Sequence, residues 1–132
     1  MKPLYLIACS AAKLDRTAPA ADLYQGQAFK LAKAAADRAG ADIVILSALH
    51  GAVNPTVNLE PYNRTLGEMS KHQRAVWAGM TEQQLQQHKG RPIVVLAGKN
   101  YAAAVDGWPN VSRPLAGLGI GQQLRALKYL NT

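Results

Sequence analysis

Three short segments are almost wholly apolar: Leu4 to Cys9, the run Ile43-Val44-Ile45-Leu46 within Asp42 to Leu49, and Ile93-Val94-Val95-Leu96 within Pro92 to Ala97. A strand with one wet face alternates apolar and polar residues. Unbroken runs of this length, two of them β-branched, therefore predict strands covered on both faces, as in a parallel sheet. Between them lie helical stretches. Residues 24 to 39 are rich in Ala, Leu and Lys, Asp22 stands where an N-cap belongs, and Gly40 where a helix stops. A second helical region spans 70 to 88, divided by Gly79 and restarted at Thr81-Glu82. The closing stretch, 121 to 130, puts Leu124, Leu127 and Leu130 on one face. The expected architecture is a single three-layer α/β domain over residues 1–132. Its mostly parallel sheet has about four strands, the fourth short and near Val111, joined by right-handed crossovers.

Composition narrows the function classes. With 48% hydrophobic and 17% charged residues the chain is globular rather than disordered. No apolar run reaches the roughly 18 residues of a membrane span. The apolar start is too short for a secretory signal, and a single cysteine cannot form an internal disulfide or a cysteine-based zinc site. The expected compartment is the reducing cytoplasm. Fifteen Lys and Arg against eight Asp and Glu give a net charge of +7. Such an excess suits either a soluble surface or a polyanionic partner, a nucleotide or nucleic acid. The positive residues are scattered, with Lys71, His72 and Arg74 the densest group. Trp77 and Trp108 fit a core or a subunit interface equally well.

In open α/β sheets ligands bind beyond the carboxyl ends of the strands, and the residues there carry the candidate chemistry. After the first strand come Cys9, Ser10 and Lys13: a hydroxyl with free backbone amides and a cation for an anion, or a plain turn over an inert thiol. Cys9 has no base near it in sequence and is a poor candidate nucleophile. Tyr24 opens the first long helix and could stack on a ring. The second strand ends at His50-Gly51, where an imidazole could act as base or base-edge hydrogen bonder, or be structural. His72 and His88 lack metal-ligand spacing, so no metal or other cofactor is expected.

The stretch that follows, through Asn54-Pro55 and Glu60-Pro61-Tyr62-Asn63-Arg64, reads as about 15 residues of loop, a length usually reserved for function. Glu60 offers a carboxylate for water or an oxocarbenium-like sugar, and Tyr62 a ring for a nucleobase. The bland alternative pairs Glu60 with Arg64 and buries Tyr62 in the core. The third strand leads to Gly98-Lys99-Asn100-Tyr101. Gly117, Gly119 and Gly121 precede the last helix, as an anion nest or as tight packing. They form neither a dinucleotide fingerprint nor a Walker A motif.

In order, Cys9-Ser10 with Lys13, Asp22-Leu23-Tyr24 with Gly26, Leu46-Ser47-Ala48 with Gly51, Glu60-Pro61-Tyr62 with Leu66, and Leu115 with Gly117-Leu118-Gly119-Ile120-Gly121 resemble a small, uncharacterised bacterial and phage domain family. That family is distantly similar to the YaaA-like proteins and to the middle domain of archaeosine synthase. The resemblance spans nearly the whole chain. It implies a fold of the uracil-DNA glycosylase type and a link to nucleic acids bearing unusual bases. His50 departs from the family pattern, which has an aromatic or aliphatic residue there, so its role rests on position alone.

The resulting expectation is an enzyme acting at the N-glycosidic bond of a nucleotide or nucleic acid, including one that carries a modified base. Glu60 would polarise water and Tyr62 stack on the base. His50 or Asn63 would bond the base edge. Ser10, Lys13 and the glycines 117, 119 and 121 would bind phosphate. The rival is a non-catalytic nucleotide- or nucleic-acid-binding module, such as a phage protein that blocks a host enzyme.

Overall fold

A computed structural model describes residues 1–132. In chain order the elements are β1 (Leu4–Ala8), β2 (Ala18–Pro19), α1 (Ala20–Leu23), α2 (Gln27–Arg38), β3 (Asp42–Ser47), β4 (Gly51–Val53) and β5 (Asn58–Leu59). Then follow α3 (Lys71–Gln84), β6 (Ile93–Leu96), α4 (Lys99–Ala102), β7 (Val111–Ser112) and α5 (Ile120–Tyr129). Five strands form one sheet in the order β4-β3-β1-β6-β7, and β2 pairs with β5 apart from it. β1 lies at the centre, parallel to β3 and β6, with Leu6 opposite Val44 on one side and Val95 on the other. β7 is parallel to β6, which confirms the short strand near Val111.

The unbroken apolar runs are explained by a sheet buried on both faces. Leu4, Leu6, Leu46, Ile93 and Val95 point to one side and pack with Trp77, Leu85, Val105 and Trp108. Ile7, Ile45 and Leu96 point to the other, against Phe29, Ala32 and Ala35 of α2 and Leu127 of α5. Each such side chain withdrawn from water contributes about 1.5–3 kcal/mol, before the opposing cost of ordering the chain. Three layers result. Both tryptophans belong to the core: Trp77 Nε1 donates to the Ser47 carbonyl oxygen (2.9 Å), and Trp108 Nε1 to Glu82 Oε2 (3.0 Å).

Four local expectations are corrected. The strand β4 is unforeseen, antiparallel to β3 through a turn that sets Ser47 opposite Gly51. Three residues are too few to show a strand period. Gly51 has φ of 77°, and a Cβ there would collide with Gln84 Oε1. Gly79 does not divide the second helix, because it lies on the exposed face of an α3 that runs on to Gln84. That helix is started by a reciprocal cap: Gln73 N donates to Ser70 Oγ (3.1 Å) and Ser70 N to Gln73 Oε1 (2.8 Å). Asp22 does not cap the first long helix. It sits exposed inside α1, and α2 begins five residues further on, after Gly26. On α5 only Leu127 is buried, while Leu130 is 41% exposed.

The chain runs from β1 through α2 to β3 on one side, then crosses by α3 to β6 on the other side of β1. Strand order therefore reverses between β1 and β6. A crevice outside their carboxyl ends is the position where such sheets hold ligands.

Candidate functional site

Ser47, the last residue of β3, is wholly buried and organises the polar groups at this end of the sheet. Its hydroxyl lies 2.7 Å from the Tyr62 hydroxyl, which lies 2.7 Å from that of Tyr24. Ser47 Oγ also accepts from the His50 amide (3.1 Å), which shapes the turn into β4. The Tyr62 ring is thereby fixed. The His50 ring stands edge-on to it with centroids 5.6 Å apart, and Lys13 Nζ lies 4.4 Å from its centroid. A cation so placed is attracted by the electron-rich ring face. Lys13 reaches this position because its backbone bridges to Tyr24.

On the β1–β6 side, Cys9 Sγ donates to the Tyr101 hydroxyl (3.5 Å), and Tyr101 meets Trp77 edge-on at 5.5 Å. Burial pushes the phenols of Tyr24, Tyr62 and Tyr101 above their ordinary value, and the neighbouring Cys9 reinforces the rise in each. They remain neutral hydroxyls through the physiological range, which suits hydrogen bonding and not base catalysis.

His50, Glu60 and Tyr62 line a single hollow of about 280 Å³, together with Asn58 and Pro61. The predicted long loop is thus partly structured: β4 and β5, joined by a turn at 54 to 57, occupy its first half, and 60 to 65 is irregular. Glu60 is exposed and forms no ion pair with Arg64: the ion pairs join Lys2 and Arg91 to Asp42, and Lys33 to Asp37. Tyr62 packs on the core that includes Ile7 and Tyr24, and it also lines the hollow.

The other candidate residues are placed differently. Tyr24 is 1% exposed, so it supports Tyr62 and does not present a face to a ligand. Ser10 donates to the Ala12 carbonyl oxygen (2.7 Å) and accepts from the Gly26 amide (3.1 Å), which commits its proton to the loop. A Cβ on Gly26 would come within 2.6 Å of Ser10 Cβ, so this glycine is required for the close approach. Asn63 is exposed and does not line the hollow. Gly117 lines a separate cavity of about 390 Å³, Gly119 is the N-cap of α5, and Gly121 lies in its first turn.

Two contributors escaped the sequence reading. Ser47 is a lone hydroxyl ending an apolar run, and that interruption was the available signal. Arg113 lines the second cavity and carried no signal, being one arginine in a scattered basic composition. A larger cavity, about 500 Å³, lies at the amino ends of β1 and β3. Its Arg91 is bonded to Asp42 (2.8 Å) and within 3.4 Å of His88.

No curated protein and no solved structure matches the chain. A family model described as a family of unknown function, DUF6884, matches residues 4–129. With nearly its whole length matched, the chain belongs to the DUF6884 family.

Proposed function

We propose that the protein is an enzyme that hydrolyses the N-glycosidic bond of a nucleotide, free or within a nucleic acid. The observation that carries this reading is that Glu60, His50 and Tyr62 wall one hollow at the carboxyl end of the sheet, with the Lys13 ammonium over the Tyr62 ring. Glu60 accepts a proton from a water that attacks the anomeric carbon, and the electrons of the breaking C–N bond pass to the base. His50 supplies a proton to the departing base nitrogen. Tyr62, immobilised through Ser47 and Tyr24, gives the base a rigid wall, and Lys13 takes a phosphate oxygen. The net charge of +7 favours such a polyanionic substrate. The motifs resemble a small family distantly similar to YaaA-like proteins and to the archaeosine synthase middle domain, and that resemblance implies a link to nucleic acids bearing unusual bases, which is compatible with this substrate class.

The test is release of free base from nucleotides and from DNA and RNA carrying natural and modified bases. Glu60→Gln is expected to lower the rate at least about 100-fold while ligand affinity changes little. No base release from any of these substrates by folded protein overturns the reading. A second reading, a nucleotide- or nucleic-acid-binding module without chemistry, is favoured by the exposure of Glu60, which no neighbouring side chain orients. Tight binding that Glu60→Gln leaves intact, without turnover, would establish it.

A further inference from the structure

Arg113 follows β7 and turns its guanidinium inward. Nη2 donates to the Val105 carbonyl oxygen (2.9 Å), whereas Nη1 is buried and has no partner. A buried donor on a charged group is rarely left unmatched, because it has lost water and gained nothing in return. Arg113 lines the cavity of about 390 Å³ that also receives Lys99 from the start of α4, Asp106, the Gly117 turn and Gln123. Neither cation forms an ion pair with Asp106. The cavity falls in the volume range, roughly 300–1,000 Å³, of small-ligand sites. Its remaining wall is apolar, from Val95, Leu115 and Leu118.

We infer that this cavity binds a sugar phosphate. The phosphoryl oxygens meet the Arg113 guanidinium and the Lys99 ammonium that line the cavity, and Asp106 accepts from a sugar hydroxyl. Two cations and one carboxylate leave a net positive lining, which fits an anion. A carboxylate beside them would repel a bare phosphate, and it becomes useful only if the same ligand also brings hydroxyl donors. Gly117, with φ of 77°, turns the backbone at the rim without a side chain. This site is distinct from the Glu60 hollow and does not depend on that reading.

The experiment titrates the full chain with ribose 5-phosphate, inorganic phosphate and ribose, read by calorimetry and by amide NMR. Ribose 5-phosphate is expected to saturate the protein, more tightly than either other probe, with amide shifts centred on residues 115–118 and affinity falling as salt rises. Arg113→Met and Lys99→Met should each weaken it about tenfold or more, the loss typical of a charge-assisted bond. Lys99 is exposed, so its replacement tests the site without endangering the fold. Asp106→Asn should narrow the preference over inorganic phosphate. Absence of saturable binding, indifference to both cation replacements, or shifts confined to residues 10–13 and 50–62 would overturn the inference. Glu60→Gln should leave this binding unchanged. A failed hydrolysis assay with the phosphate site intact removes only the proposed reaction.

Discussion

Replacing Tyr62 with phenylalanine isolates the hydroxyl that joins Ser47 to Tyr24. The ring, its edge contact with His50 and the Lys13 ammonium above it are retained, and only two hydrogen bonds of 2.7 Å are removed. Each bond contributes about 1 kcal/mol net, and a buried partner left without one costs about 1–3 kcal/mol. Ser47 is 0% and Tyr24 1% exposed, so water cannot substitute freely at either. Ser47 Oγ keeps its bond from the His50 amide, which moderates the loss on that side. The expected destabilisation is therefore about 2–3 kcal/mol, a large share of the roughly 5–15 kcal/mol that holds a domain folded. Urea denaturation should show a lower midpoint with an unchanged slope, and the melting temperature should fall by roughly 10 °C. The double variant with Tyr24→Phe supplies the sharper test. Once Tyr62 lacks its hydroxyl, removing that of Tyr24 eliminates an orphan, so the two losses should sum to less than their separate values. A single variant within about 0.5 kcal/mol of the parent, or strictly additive losses, would refute the linked hydroxyls as a structural unit.

The remaining expectations concern pH and the backbone. Because Tyr24, Tyr62 and Tyr101 titrate above their ordinary value in the folded chain, the unfolded chain loses protons first as pH rises. Stability is then complete below about pH 10 and declines above it, and urea midpoints taken across that range should show the fall. Asp42 is shifted the other way, held low by hydrogen bonds from Arg91 and then Lys2. Its contribution is present above about pH 4 and lost as pH falls, so Asp42→Asn should flatten the acid limb of the same titration. Gly51→Ala meets both a positive φ and the Gln84 side chain, and should cost more than about 1 kcal/mol by thermal melting. An unaltered melting point would show that β4 can move aside.

The central sheet was legible because burial on both faces leaves a plain mark: Ile43-Val44-Ile45-Leu46 and Ile93-Val94-Val95-Leu96 have no polar alternation, and both are parallel strands next to β1. The edge was not legible, since β4 owes its existence to a tight turn and to Gln84, which accepts from the Ala52 amide (2.7 Å) across a long sequence interval. Gly79 misled because glycine weakens a helix locally, while Trp77 and Thr81 anchor this one through tertiary burial. At the site, the sequence singled out His50 and Lys13 by position after a strand and Tyr62 by loop length, and the fold brings the three together. It could not tell that the Ser10 hydroxyl is spent on Ala12 or that Tyr24 lies inside. Those outcomes depend on which neighbouring loop arrives, and a single sequence carries no record of that distance.

The Trp77 indole donates to the carbonyl of the residue whose hydroxyl steadies Tyr62, and it borders Tyr101 beside Cys9. One chromophore thus reaches from the helical layer to both flanks of the crevice. Its emission is a built-in optical gauge, sensitive to occupancy at either flank, and it requires no label. Trp108, bonded to Glu82 and overlain by Lys89, emits in the same band, so a Trp108→Phe variant isolates the Trp77 signal.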